Sequence, residues 1–355
     1  MKIGILTFHR AHNYGAVLQC YALQETFRRK GHEVFVIDYR QPWIEEFYKI
    51  FSIRLFAESS DKMAYVRKVL KKFILSPFRS IWFRRFRNEF MSLTDPCGHE
   101  LPQDFDLYVV GSDQLWSLHC LGGKSDAVYM GDFQHPLTAK VVGYAVSADM
   151  KSVELNEKEI SRNISNFSLI SMREAEVAAE VERITSVSCD VCLDPTLLTD
   201  SQIWEPVIDD KWKGKNYVLM YEVRWRKESK GLLRRKADEL AASIGGGCTV
   251  IDLSTMKYSV RDFVSLFRYA RYVVTTSFHG IVFSILFERP FYALPLWNGY
   301  DLRYVELLHS LGLDARLIDP DVIMDQKDID YGQVKNKLEI LKRHSIDYID
   351  KALNL

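Results

Sequence analysis

Thr275-Thr276-Ser277-Phe278-His279-Gly280 lies between a β-branched apolar run, Tyr272-Val273-Val274, and a second apolar run of helical length, Ile281 to Phe287. A strand that empties into a small, hydroxyl-rich turn and then into a helix is one βα unit of a parallel sheet. The turn sets backbone N–H groups and an imidazole at the strand's carboxyl end, where open α/β sheets bind anionic ligands. The amino-terminal segment repeats this logic. Gly4-Ile5-Leu6 runs into Thr7-Phe8-His9-Arg10-Ala11-His12-Asn13-Tyr14-Gly15, and Ala16-Val17-Leu18-Gln19 continues into a helix. Two such turns far apart predict two Rossmann-like α/β domains facing a shared cleft.

Working outward, Tyr14 to Lys30 reads as an amphipathic helix stopped by Gly31, and Glu33 to Tyr39 as the next strand. Phe105 to Val110, Lys140 to Ala145 and Ser168 to Ser171 read as further strands, with a helix from Glu154 to Ile164 and another opened by Arg173-Glu174. Leu193-Asp194-Pro195-Thr196-Leu197-Leu198 marks the crossing, where Pro195 fixes the turn. The second half alternates strands at Tyr217 to Val223, Thr249 to Leu253, Arg271 to Thr275 and Phe291 to Leu294 with helices at Glu228 to Ile244 and Val260 to Tyr269. Gly245-Gly246-Gly247 ends a helix and precedes a strand. That is the reverse of a phosphate loop, so it reads as a C-cap turn. The expected division is 1–190 for an acceptor-side domain, 191–331 for a donor-side domain, and 332–355 for a helix packing back toward the first.

Residues 44–93 form an insertion of different character. Between Lys62 and Asn88 lie nine Lys or Arg and no acid, interleaved with Phe73, Phe78, Trp82, Phe83 and Phe86, and the helical spacing breaks at Pro77. One reading is a helical pair that buries its rings and solvates its charges. The other is a basic amphipathic face for anionic lipid, with Trp82 or Phe83 dipping into the interface. A formal net charge of +0 leaves no global basic excess, which argues against nucleic-acid binding.

With 355 residues, 47% of them hydrophobic and 26% charged, the chain suits two ordinary globular domains. No uncharged run reaches the roughly 18 residues needed to span a bilayer. Met1 to Phe8 is too short for a secretory signal and meets His9 and Arg10. The six cysteines are scattered, so a reducing cytoplasm is expected. Cys189-Asp190-Val191-Cys192 lacks the second ligand pair a zinc site needs, and reads as two buried thiols.

His279 is the leading chemical candidate, since an imidazole at a strand's carboxyl end can bind a phosphate or move a proton near neutral pH. Ser277 and Gly280 would supply N–H donors beside it. Arg173, at another strand end, could grip a carboxylate or phosphate, or could simply pair with Glu174 or Glu176. Asp113, Gln114 and Trp116 after the third strand resemble a sugar subsite, with the indole packing on the pyranose or serving only as core. Asn13 and Gly15 would line the same region from the first loop.

These residues carry a resemblance. Asn13-Tyr14-Gly15-Ala16-Val17-Leu18-Gln19 with Tyr21-Ala22-Leu23-Gln24, Gly111-Ser112-Asp113-Gln114-Leu115-Trp116, Asp194-Pro195-Thr196-Leu197-Leu198, and Thr276-Ser277-Phe278-His279-Gly280 with Phe283-Ser284 are together similar to the polysaccharide pyruvyl transferase family. The resemblance implies a fold similar to GT-B glycosyltransferases, phosphoenolpyruvate as donor, and a sugar diol of a bacterial surface polysaccharide or its precursor as acceptor. The product is then a pyruvate ketal. It implies essential roles for Arg173 and His279, and neither a metal nor a cofactor. Asp113 would be the base, and His279 either the proton donor or the phosphate clamp. A lipid-linked acceptor would put the enzyme in the cytoplasm, peripheral at the inner membrane through residues 62–88. Two other readings stand beside it: a GT-B glycosyltransferase using a nucleotide sugar, for which no Gly-rich diphosphate loop opens a helix, and a non-catalytic glycan-binding or assembly protein.

Overall fold

The computed structural model describes all residues except 50, 59–60, 224–230, 256, 296–301 and 320–327. Two compact units result: Met1–Leu198 with His344–Leu355, and Thr199–Arg343.

The first unit carries strands β1 (Lys2–Leu6), β2 (Glu33–Val36), β3 (Leu107–Val110), β4 (Lys140–Val146), β5 (Leu169–Met172) and β6 (Asp190–Val191). They form one parallel sheet in the order β2-β1-β3-β4-β5-β6. Its helices are α1 (Tyr14–Arg29), α2 (Pro42–Tyr48), α3 (Ile53–Glu58), α4 (Lys62–Phe90), α5 (Met150–Leu155), α6 (Glu157–Asn163), α7 (Ala175–Thr185) and α8 (Pro195–Leu198). Two apolar clusters complete it. One gathers Leu6, Tyr108, Trp116, Met172 and Val181, and the other Ile3, Leu23, Val109, Tyr144 and Ile349. Fully buried runs such as Leu107-Tyr108-Val109-Val110 follow from a parallel sheet covered on both faces. The first unit runs to Leu198 rather than to 190, because β6 pairs with β5 and Leu198 joins the first-unit core.

The second unit has β7 (Tyr217–Tyr221), β8 (Thr249–Asp252), β9 (Tyr272–Thr275) and β10 (Phe291–Ala293), parallel in the order β10-β9-β7-β8. Around them lie α9 (Leu232–Ile244), α10 (Val260–Tyr269), α11 (Phe278–Leu286) and α12 (Leu302–Leu311). The first residues expected for α9, 228–230, lie outside the described residues. Gly245 closes α9 at φ 68°, in the left-handed region glycine favours. A capping box, Ser259 with Asp262, opens α10.

Three local expectations change. The helix expected over Glu154 to Ile164 is two helices, broken at Asn156, whose N–H turns back to Ser152 and Val153. In the insertion, α4 runs unbroken through Pro77 to Phe90. The last helix, α13 (Tyr331–Leu353), belongs to both units: Val334 and Leu338 are buried in the stretch that clusters with the second. Tyr348, Ile349 and Ala352 pack into the first-unit core, where a buried Ile contributes about 1.5–3 kcal/mol.

Cys189 and Cys192 flank β6 as free, buried thiols, and burial pushes each up to about 12, which keeps them protonated and unreactive at neutral pH. Among the described residues no helix is long and apolar enough to cross a membrane, and no group of His, Cys, Asp and Glu is placed to hold a metal ion.

Candidate functional site

Each sheet has a topological switch point where open α/β sheets place their ligands. In the first it lies between the carboxyl ends of β1 and β3, in the second between those of β7 and β9.

In the second unit, Thr275 Oγ1 donates to Tyr221 O at 2.7 Å, and Thr276 Oγ1 to Val223 O at 3.0 Å. These bonds tie the end of β9 to the end of β7. Ser277 then caps α11, its Oγ accepting from Gly280 N at 3.4 Å. Gly280 is required because the first turn of α11 presses on Thr275, and any Cβ at 280 would enter the Thr275 side chain. His279 is half-buried, edge-on to Phe278 with ring centroids 5.2 Å apart. The nine-residue α11 therefore turns the positive end of its dipole toward the carboxyl end of β9, with Ser277 as its cap and His279 in its first turn.

Sequence reasoning missed two residues here. Arg303 of α12 stacks over Phe278 at 5.8 Å. Glu222 follows β7, and burial, then the charge of Asp252, raise its carboxyl pKa. That makes it a better proton reservoir near neutral pH than an exposed glutamate. Neither sits in a recognisable motif; strand-end position was the one available signal for Glu222, and Arg303, on α12, had none.

In the first unit, Thr7 Oγ1 donates to Ser112 O at 2.8 Å and accepts from Gln19 Nε2 at 2.8 Å, which joins β1, the loop after β3, and α1. Gly111 (φ 130°) lies so close to the Tyr144 carbonyl that no Cβ fits. Asp113 follows in the left-handed region at φ 81°, which a short Asx side chain tolerates, and its Oδ1 accepts from Gln114 N at 2.9 Å. Gln114 is buried. Trp116 is 1% exposed, donates its indole N–H to Tyr129 O at 2.9 Å and packs on Phe167. Its ring offers no face to a sugar. Asn13 is exposed and caps α1, with Oδ1 accepting from Gly15 N at 2.9 Å.

Arg173 is buried in a network. Its Nη1 donates to Asp194 Oδ2 at 2.7 Å, its Nη2 to Ser147 Oγ at 2.8 Å, and its Nε reaches Glu174 Oε1 at 3.4 Å. Ser147 in turn donates to Glu174 at 2.6 Å. Asp194 also accepts from Thr196 N and Thr196 Oγ1, so the Asp194-Pro195-Thr196 motif holds both α8 and the guanidinium. Burial works against the charge of Arg173, but Glu174 and Asp194 outweigh it and raise its pKa. One guanidinium here faces two carboxylates. Gripping a ligand with it directly would take it away from Asp194 or Ser147.

The structure thus places Asn13, Gly15, Asp113, Gln114 and Arg173 in the first unit, and Ser277, His279 and Gly280 in the second.

A family model described as polysaccharide pyruvyl transferase matches residues 13–298. The chain belongs to this family, and is a transferase of the polysaccharide pyruvyl transfer class. Solved structures similar to it include glycosyltransferases and epimerases. Spinosyn forosaminyltransferase is 14% identical, the match covering 100% of this chain and 100% of that one, with a TM-score of 0.41. Spinosyn rhamnosyltransferase is 11% identical over 100% and 96%, with a TM-score of 0.38. The UDP-GlcNAc 2-epimerase of Methanocaldococcus jannaschii, in complex with UDP-GlcNAc and UDP, is 12% identical over 100% and 99%, with a TM-score of 0.43. The search of curated proteins found no match.

Proposed function

We propose that this chain transfers pyruvate from phosphoenolpyruvate to two hydroxyls of a sugar in a bacterial surface polysaccharide or its precursor, forming a ketal in the cytoplasm. The observation that carries this reading is the Ser277–Gly280 turn at the second switch point, within the family match. The donor's phosphate sits at that turn, drawn by the amino-terminal dipole of α11 and by His279; the Ser277 and Gly280 N–H groups expected as donors are instead used within the turn, by Thr275 Oγ1 and Ser277 Oγ. Protonating the methylene carbon leaves an oxocarbenium-like centre at C2. One sugar hydroxyl adds there, the C2–O bond to phosphate breaks, and the second hydroxyl closes the ring. One hydroxyl proton replaces the proton the acid gave up, and the other leaves with phosphate. His279 serves the proton or the leaving phosphate. In the first unit, Asp113 acts as the base that deprotonates the sugar, with Asn13, Gly15 and Gln114 around the acceptor. Arg173 is the positioning residue that fixes Ser147, Glu174 and Asp194 there.

Phosphoenolpyruvate is expected to raise the Tm of the protein, while nucleotide sugars leave it unchanged. Stabilisation by nucleotide sugars alone would instead make the chain a glycosyltransferase.

A lipid-linked acceptor would bring the chain to the inner face of a membrane. Arg84 and Arg85 are exposed on α4, as is Phe78, and Trp82 is half-buried; Phe83 and Phe86 are buried, Phe83 lying against His12 and Tyr14. Lipid contact therefore falls to Trp82 and Phe78 rather than Phe83, while the side chains of Lys68, Lys71, Lys72 and Phe73 lie outside the described residues. Each near-surface cation is worth about 1 kcal/mol toward anionic lipid. The wild type is expected to pellet with phosphatidylglycerol vesicles at low salt, and Arg84→Glu/Arg85→Glu to stay in solution. Equal pelleting of the two would remove α4 from the membrane.

A further inference from the structure

Arg87, near the end of α4, is 4% exposed. Among the described residues its guanidinium makes no hydrogen bond and no ion pair, and Nη1 is a fully buried donor without an acceptor. A desolvated, unpaired cation is among the costliest arrangements a fold can keep. Burial, then the charge of Arg10, bring its pKa down to about 10, so it stays charged at neutral pH.

Its neighbours do not cancel this charge. Arg10, Asp38, Glu45 and Arg40 lie close enough to act on it. Arg10 and Asp38 come from the segments just after β1 and β2, and Arg40 follows Asp38 by two residues. Arg10 Nε donates to Glu45 Oε1 at 2.9 Å, and Arg40 Nη2 to Asp38 Oδ2 at 2.8 Å. Arg10 Nη1 is 3.8 Å from Asp38 Oδ1, and Arg40 Nη1 is 3.7 Å from Glu45 Oε2. His9 Nε2, 2.9 Å from Asp38 Oδ1, uses the same carboxylate. Two carboxylates thus serve two guanidiniums and an imidazole, and Arg87 is the surplus cation. Arg40 Nε is a second buried donor without an acceptor. The side chains of Arg10 and Arg40 are 20% and 34% exposed, which opens the cluster to solvent.

We propose that Arg87, Arg10 and Arg40 form an anion site beside the first switch point, and that it takes a phosphoryl group carried by the acceptor. The proposal rests on the acceptor role given above to the first unit. A phosphoryl group is compact, multiply charged and tetrahedral, so its oxygens can meet guanidiniums arriving from α4 and from both strand ends. The Arg173 network, with two carboxylates around one guanidinium, lacks the positive excess such a group needs.

The test is calorimetry at low salt with inorganic phosphate and inorganic pyrophosphate, on wild type and on Arg87→Met, which keeps the apolar stem and removes the charge. Wild type is expected to bind at least one of the two anions. Arg87→Met should bind it roughly tenfold more weakly or worse, the loss expected for a charge-assisted contact. Tighter binding of pyrophosphate would assign the site to a diphosphate-linked sugar, and tighter binding of phosphate to a phosphate monoester. Phosphoenolpyruvate should bind both proteins equally, and with the donor turn saturated by it the Arg87-dependent anion binding should remain. That arm separates the two proposals: if phosphoenolpyruvate fails to bind, the donor reading falls while the anion site stands. Equal anion affinity in wild type and Arg87→Met, binding of neither anion to wild type, or loss of the Arg87-dependent binding under saturating phosphoenolpyruvate would each overturn the acceptor-phosphoryl site. Should Arg87→Met not fold, Arg40→Gln at the solvent-facing rim is the second variant. It should weaken the same binding several-fold, and unchanged affinity would overturn the site equally.

Discussion

Replacing His279 with alanine is expected to reduce pyruvyl transfer by about 10²–10⁴-fold, the usual contribution of a positioned acid–base group. The fold should survive. His279 is half-buried in the first turn of α11, where the cap is Ser277 and the close contact is Gly280 on Thr275. Losing the imidazole therefore opens little core. The measurement is release of phosphate from phosphoenolpyruvate with a sugar acceptor, alongside the Tm. A folded His279→Ala protein that kept more than about a tenth of wild-type turnover would remove His279 from the chemical step. The pH profile then separates the two roles. A proton donor moves the acidic or basic limb of kcat, whereas a phosphate clamp shows mainly in KM for the donor.

Replacing Arg173 with alanine is expected to have the largest effect on stability. The guanidinium is held between Asp194 and Glu174, all three side chains being almost wholly excluded from water. Removing the cation leaves two buried carboxylates facing each other, and breaking such a network typically costs about 3–5 kcal/mol. For a unit of this size that corresponds to a fall in Tm on the order of ten degrees. Calorimetric unfolding tests it, and a Tm within a degree or two of wild type would sink the claim. Arg173→Lys keeps the charge but not the planar fork that reaches Asp194 and Ser147 together, so it should restore only part of the loss. If Arg173 touched the donor directly, phosphoenolpyruvate binding to a folded Arg173→Lys protein would weaken roughly tenfold. A positioning role leaves that affinity close to wild type and lowers turnover.

Much of the candidate site was legible because its signals are local. A strand, a capping serine, a glycine and a histidine fall within a few consecutive residues at 275–280, and their chemistry follows from that order. Asp113 was legible as a strand-end carboxylate for the same reason. Trp116 was not, because a tryptophan in a loop looks the same in sequence whether it faces a sugar or the core. Only the packing of Phe167 and the carbonyl of Tyr129 decide for the core. Phe83 looked free to enter a lipid interface until α1 was found beneath it. Pro77 read as a helix break on local grounds, since it lacks an N–H, yet α4 continues through it.

By itself, then, the sequence determined the alternation of strands and helices, the two strand–turn–helix openings, and the family motifs at Asn13, Asp113, Asp194 and His279. Each is written in residues close together in the chain. Tertiary structure alone decided the strand orders, the allotment of β6 and α8 to the first unit, the enclosure of Arg173 by Asp194, Ser147 and Glu174, and the surplus charge of Arg87. These depend on pairs far apart in sequence, such as Arg173 with Ser147 and Asp194, or Arg87 with Arg10 and Asp38. Whether a charge is paired, and what it costs, depends on which neighbours share its low-dielectric surroundings, and only the folded chain assembles those neighbours.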